Sequence, residues 1–211
     1  MTPRSVFQPV RKGALARYER ILRAARDIII EQGSISPLSI NQLANRSGVS
    51  RVSIYYFFES TDQVLQVLYD QAVESLEAAL TEDDISDVED WEAVVERFLG
   101  KVIDYYHEHP VAMILSLAPV SFTEVNQQNR RISASLFQHL VTNSRWEQKA
   151  SMLRACEIAV EVTDAVMRKS FIEEGHITAE FQQDALIAFI SFIKATNQHQ
   201  SPINNKKEIS L

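Results

Sequence analysis

At 211 residues, with 45% hydrophobic and 23% charged residues but only 5 Gly and 6 Pro, the chain can bury a core and is poor in the breakers that a many-turned β protein needs. This excludes a mini-protein and makes an all-α fold the expectation. The net charge of −7 argues against a polyanionic partner until it is divided: residues 1–59 carry +5 and the remainder −12, a basic head on an acidic body.

In chain order, residues 1–12, with Pro3 and Pro9 among scattered charges, show no apolar periodicity and read as a disordered basic arm. A head domain is expected over 13–60. Its first helix is predicted over 15–32, where Leu22, Ala25, Ile28 and Ile29 recur at helical spacing and Gly33 is placed to end it. Ser39-Ile40-Asn41-Gln42 is a capping-box pattern that opens a second, short helix with Ile40, Leu43 and Ala44 facing inward. That helix must stop at Gly48, a residue tolerant of positive φ, and Ser50 then caps a third helix over 51–58.

Ser60-Thr61-Asp62-Gln63 repeats the capping pattern and begins a connecting helix over 61–81, with Leu65, Leu68, Ala72, Leu76 and Ala79 on one stripe. The acidic stretch 81–90 is the candidate hinge, and 82–198 reads as a helical body. Trp91, Val95, Phe98, Val102 and Tyr105 place one helix before Pro110; shorter and longer apolar patterns follow over 111–117 and 124–142. Two long helices close the chain, about 147–174 capped by Gly175 and about 178–196 opened by Thr178, before a frayed tail at 199–211. In total about nine helices are expected.

The single cysteine, Cys156, allows no internal disulfide and reads as a buried apolar residue. The N-terminus lacks the apolar run of a signal peptide, and no stretch reaches the length of a membrane span, so a cytoplasmic protein without membrane contact is expected.

Two short helices joined by a tight glycine turn, preceded by a longer helix, form a tri-helical helix-turn-helix whose last helix enters the DNA major groove. Spacing assigns Val49, Ile54 and Phe58 to the core behind it. Ser50, Arg51, Ser53, Tyr55 and Tyr56 are left for bases and phosphates, joined by Ser39 and Thr61 at the heads of the flanking helices. Arg51 is the candidate for reading guanine N7 and O6, because its planar fork donates twice to one base. Of the adjacent tyrosines, one is expected to pack and the other to bond phosphate through its hydroxyl.

The run Gly48-Val49-Ser50-Arg51-Val52-Ser53-Ile54-Tyr55-Tyr56-Phe57-Phe58 resembles the recognition segment of the TetR family of bacterial regulators, G-V-S-x-x-x-L-Y-Y-H-F. Ile21-Leu22, Ala24-Ala25 and Ile28-Ile29 before Gly33 look like the family's I-L-x-A-A-x-x-L-F-x-x-x-G. The close likeness covers about a third of the chain; the body is similar only in helix count and length. Phe57 stands where the family has histidine, and Glu59 and Thr61 where it commonly has basic residues. Phosphate grip is therefore expected from the Ser60 and Thr61 amides and hydroxyls, the arm and the arginines of the first helix.

The resemblance implies a ligand-responsive, sequence-specific DNA-binding regulator, a repressor released from a palindromic double-stranded operator by a small, largely apolar effector. No catalysis is expected, because spacing shows no nucleophile-base pair or metal cluster, and no cofactor is expected. The implied effector site draws on Tyr105, Tyr106, Met113, Phe122, Phe137, Trp146 and Met152, although for any one of them ordinary core is the simpler reading. The last two helices are apolar on more than one face and so need two partners, either as central core helices or, as the resemblance favours, as a homodimer interface. Neither His107 with His109 nor Glu173 with His176 makes a metal site by spacing, so no metal is expected. The rival from another class is a helical enzyme or carrier for a hydrophobic small molecule, with no DNA-binding role; it predicts no salt-dependent DNA binding.

Overall fold

Caps and breakers in the sequence fall where the helices of the computed structural model end. The structure describes residues 12–35, 38–81, 90–118, 122–144 and 146–200, without the side chains of 81, 122–127 and 197–200. Among the described residues there are nine helices and no strand: α1 Lys12–Gln32, α2 Ile40–Ser47, α3 Arg51–Phe57, α4 Thr61–Thr81, α5 Trp91–Glu108, α6 Pro110–Leu117, α7 Phe122–Asn143, α8 Ala150–Glu174 and α9 Ala179–Gln200. None is long and apolar enough to cross a membrane.

The local chemistry of the caps explains most of these boundaries. Ser39 caps α2 with a complete capping box: its Oγ accepts from the Gln42 N–H at 3.3 Å, and Gln42 Oε1 accepts from the Ser39 N–H at 2.9 Å. Gly48 and Gly175 end α2 and α8 in the left-handed region, at φ 64° and 76°. Asp90 caps α5 through the Glu92 N–H, and Thr178 Oγ1 accepts from the Phe181 N–H at the start of α9. Pro110 opens α6 at the position where its missing N–H costs nothing.

Several boundaries differ from the pattern. α1 begins at Lys12 rather than 15, because polar and small residues there continue the helix without needing a buried face. α8 begins at Ala150 rather than 147: Lys149 is extended, and the Lys149 N–H is taken by Glu147 O in a turn ahead of the helix. α7 and α9 each extend past the expected 124–142 and 178–196. Of the proposed arm (1–12), all but Lys12, which opens α1, lies outside the described residues, as do 82–89 of the proposed hinge (81–90) and 201–211 of the tail.

Two cores form, and they do not divide where the sequence suggested. The head core joins α1, α2 and α3 around Ile21, Leu22, Ile29, Leu43, Ile54 and Phe58, but it also takes Val64, Leu68 and Val73 from α4 and Ile114 and Leu115 from α6. The body core holds α5, α7, α8 and α9, together with Leu76 and Leu80 from the far end of α4 and Met113 and Leu117 from α6. α4 thus spends its first half in one core and its second half in the other, and α6 turns one face to each. Head and body are joined by shared packing as well as by the connecting helix.

Candidate functional site

The turn between α2 and α3 is held from behind by α1. Both Nε and Nη2 of Arg20 donate to Ser47 O, an otherwise orphaned carbonyl at the end of α2. Glycine is favoured here by its φ, and a Cβ at Gly48 would lie 2.8 Å from Arg20 Nη2, so a side chain would also push the guanidinium from its place on Ser47 O. Behind α3, Ile54 and Phe58 are fully buried; Phe58 stacks on Tyr18 at 5.1 Å, and Phe57 meets the edge of the same ring at 5.9 Å. Phe57 at the family's histidine position is thereby a core residue, which spacing alone missed although 54, 57 and 58 share a helical face.

The outer face of α3 is its opposite. Val52 is 82% exposed, Tyr56 65% and Tyr55 57%. The expectation that one tyrosine of the pair packs is not met: both rings stand out from the head, Tyr56 with its ring edge-on to Phe57 at 5.1 Å. Arg51 is exposed and its Nη1 donates to Asn41 Oδ1 on α2 at 3.3 Å, which aims the guanidinium across the mouth of the turn. Ser50 Oγ accepts from the Ser53 N–H and donates to Ser53 Oγ, so the two hydroxyls cap α3 while remaining at its exposed start. Ser39 is likewise committed to its own capping box.

At the head of α4, Ser60 Oγ accepts from the Gln63 N–H while Gln63 Oε1 takes the Glu59 N–H at 2.7 Å. This leaves the first amides of α4, beside Thr61, unclaimed by the cap. Spacing overlooked Val52 and Asn41. Val52 was legible, since it precedes Tyr55 and Tyr56 by three and four residues and so shares their face.

Not all of the head's positive charge is free. Arg26 donates to Gln71 Oε1 on α4 at 2.7 Å, and Arg46 makes a two-pronged pair with Glu31 that holds the Glu31 carboxyl below its ordinary range. With Arg20 these side chains tie α1 to α2 and α4. Arg17, Arg23 and Arg51 remain exposed.

In the body, a cavity lies between α5 (Phe98, Val102), α7 (Leu136), α8 (Val160, Met167) and α9 (Phe189). It has a volume of about 40 Å³, room for a few water molecules. Of the residues expected around an effector, Tyr106 lines it. Tyr105, Met113, Phe137 and Met152 are buried in the same core without reaching the cavity, Trp146 packs against Trp91 at 5.5 Å, and the Phe122 side chain is outside the described residues. The polar part of the wall is Tyr106, Asn129, Thr163 and Asp164, residues from three helices whose meeting no local pattern reveals.

A buried polar network runs from this wall to α4. Gln128 on α7 accepts from Tyr69 Oη of α4 at 2.7 Å and donates to Tyr106 Oη at 3.1 Å and Ser116 Oγ at 3.2 Å. Burial raises the Tyr106 hydroxyl far above its ordinary pKa and keeps it neutral. Burial also raises the Asp164 carboxyl, against the pull of its partner Arg168. Cys156 is fully buried, and desolvation, aided by Glu157, pushes its thiol up to about 12, which makes it an unreactive core residue. His107 Nε2 bonds with Ile177 O and His109 stacks on Tyr105, so both serve packing. Glu173 pairs with Lys169, and among the described residues no group of three or more metal-ligating side chains comes together.

Comparison with known proteins agrees with this geometry. Residues 21–68, which span the end of α1 through the start of α4, match the family model of bacterial regulatory proteins of the tetR family. Over 84 residues, 40% of this chain, it is 33% identical to the HTH-type transcriptional regulator SrpR of Pseudomonas putida and 32% identical to the HTH-type transcriptional regulator TtgW of the same species. Those alignments span only 38% and 61% of the two relatives. In fold the likeness is broader. A TetR-family regulator from Streptomyces coelicolor matches 86% of this chain and 98% of its own at a TM-score of 0.57 and 20% identity. A TetR regulator from a Rhodococcus species matches 86% of this chain and 97% of its own at 0.55 and 16%. With its turn held at Gly48 and its three-helix head, the chain carries over residues 21–68 the helix-turn-helix segment of the tetR-family model, and its overall fold is that of the matched TetR-regulator structures.

Proposed function

We propose that the protein is a homodimeric, ligand-responsive transcriptional regulator that binds a palindromic DNA operator through α3 and acts as a repressor. The observation that carries this reading is the two-sidedness of α3: a helix of seven residues with a buried rear and Arg51, Val52, Tyr55 and Tyr56 exposed on a basic head. An exposed valine and two tyrosines on so short a helix are costly to leave in water unless something covers them. Val52 suits a thymine methyl, Arg51 a guanine edge, and the tyrosine hydroxyls phosphate. Ser50 and Ser53 lie at the start of α3 and Thr61 at the start of α4, where helix amides suit phosphate; Ser39 contributes through its cap of α2.

The acidic body repels DNA and so orients the head toward it. Ile158 and Val162 on α8 and Ile187 on α9 are exposed, and they supply an apolar face for a second copy. The body cavity is the effector site, in which Tyr106 connects through Gln128 to α4. An effector that changes this wall shifts α4 and with it the spacing of the two heads.

The test is a titration of the purified chain against fragments of its own genome at two salt concentrations. Salt-dependent, sequence-selective binding is expected, and Arg51→Ala should weaken the selected site by about tenfold to a hundredfold with less effect on other DNA. Binding that is absent, or selective binding unchanged in Arg51→Ala, sinks the reading and favours a helical carrier or enzyme.

A further inference from the structure

We infer that the body cavity takes a neutral, mainly apolar molecule that carries one hydrogen-bond acceptor, such as a ketone or ester, seated on the side-chain amide of Asn129. The inference rests on the reading of the body as an effector domain and adds the chemistry of the effector.

The cavity wall is apolar on α9 and, apart from Tyr106, on α5; its other polar residues, Asn129, Thr163 and Asp164, come from α7 and α8. Each of these has an assigned use except one. Thr163 Oγ1 donates to Ala159 O at 2.8 Å, Tyr106 Oη receives Gln128 Nε2, and Asp164 Oδ2 receives Arg168 Nη2 at 2.5 Å. Asn129 is 4% exposed, and its side-chain nitrogen has no hydrogen-bond partner. It stands close enough to Asp164 to favour the ionised carboxylate, but an amide nitrogen carries two N–H bonds, and even a full bond to Asp164 would leave one unmatched. A buried donor without a partner is costly, and a ligand acceptor placed there recovers that cost.

Charge excludes the other ligand classes. Asp164 and Arg168 already form a pair on the cavity's polar side, so a cationic ligand would have to displace Arg168 and an anionic one would face the carboxylate. At about 40 Å³ the cavity is smaller than such a ligand, so the ligand is seated by moving side chains, and Met167, unbranched and with several rotatable bonds, is the wall residue most able to yield.

The experiment uses the full chain and two probes of one skeleton, acetophenone and ethylbenzene, titrated calorimetrically into wild type and Asn129→Leu. Comparing the ratio of the two affinities between the proteins cancels the probes' different hydration. The ratio should move against acetophenone by about tenfold in Asn129→Leu. On the unaltered protein, the Asn129 side-chain amide resonance should shift with acetophenone and stay in place with ethylbenzene, a readout that survives if the variant misfolds. An unchanged ratio, an unmoved resonance, failure of acetophenone to bind, or benzoate or benzylammonium binding as well as acetophenone each overturn the inference. If the ratio moves but the protein binds no DNA, the regulator reading fails and the Asn129 site stands; if acetophenone releases DNA with the ratio unchanged, the site fails and the regulator stands.

Discussion

Gly48 meets a backbone demand and sits against a bracing side chain at the same time. Its φ of 64° disfavours any side chain, and the guanidinium that seals Ser47 O occupies the space a Cβ would take. Gly48→Ala is expected to lower stability by about 2 kcal/mol, from the left-handed backbone and the displaced Arg20 together, as read by urea denaturation. A loss below about 0.5 kcal/mol would mean that Arg20 moves freely and does not brace the turn. The φ requirement was legible in Ser47-Gly48-Val49-Ser50, because a helix stop and a fresh cap two residues apart allow little else. The role of Arg20 was not, since nothing in a row of arginines three residues apart says which one reaches Ser47, 27 positions away. The same limit hid Asn41, which bears on Arg51 only because α2 and α3 fold back on each other.

At the scale of the element, α4 is the part whose role packing decides. Its sequence gives one apolar stripe, yet Val64, Leu68 and Val73 enter the head core and Leu76 and Leu80 the body core. α6 repeats this in eight residues, with Ile114 and Leu115 toward the head and Met113 and Leu117 toward the body. A helix shared between two cores cannot shift in one without disturbing the other, because close-packed interiors transmit displacement. Gln128 fastens α4 to this arrangement through Tyr69. Gln128→Leu removes the donor that Tyr106 and Ser116 share, and is expected to cost about 2 kcal/mol and to speed hydrogen exchange in α4 around Tyr69. Exchange in α4 that stays at the wild-type rate would show that Gln128 does not hold it.

For the whole molecule, positive charge and exposed apolar surface are divided between the head and the last two helices. The basic head carries α3, and the exposed Ile158, Val162 and Ile187 lie on the last two helices, far along the chain from it. The apolar excess on those helices was visible in the sequence as two faces; the structure shows one face packed inward through Cys156, Val160 and Met167 and the other left outside. Replacing both Ile158 and Val162 by Glu should convert a dimer to a monomer in sedimentation velocity at micromolar concentration, because like charges buried opposite each other are strongly unfavourable. Wild type that sediments as a monomer would sink the dimer, and with it the half-site geometry.

The sequence by itself determined what is local. Helix starts and stops follow from caps within four residues, the turn follows from one glycine, and the inward face of each helix follows from its period. It also determined the charge of the head, which is a sum. Only the tertiary structure decided which arginines are consumed as braces, that both tyrosines of α3 stand outside, and that Asn129, Thr163 and Asp164 meet Tyr106 around one cavity. These residues come from different helices, and a meeting between helices depends on how they pack. The aromatic residues were the natural first choice for an effector site; of those named, Tyr106 lines the cavity, and Phe98 and Phe189, which were not named, line it too, because which large side chains border a gap depends on how the helices pack.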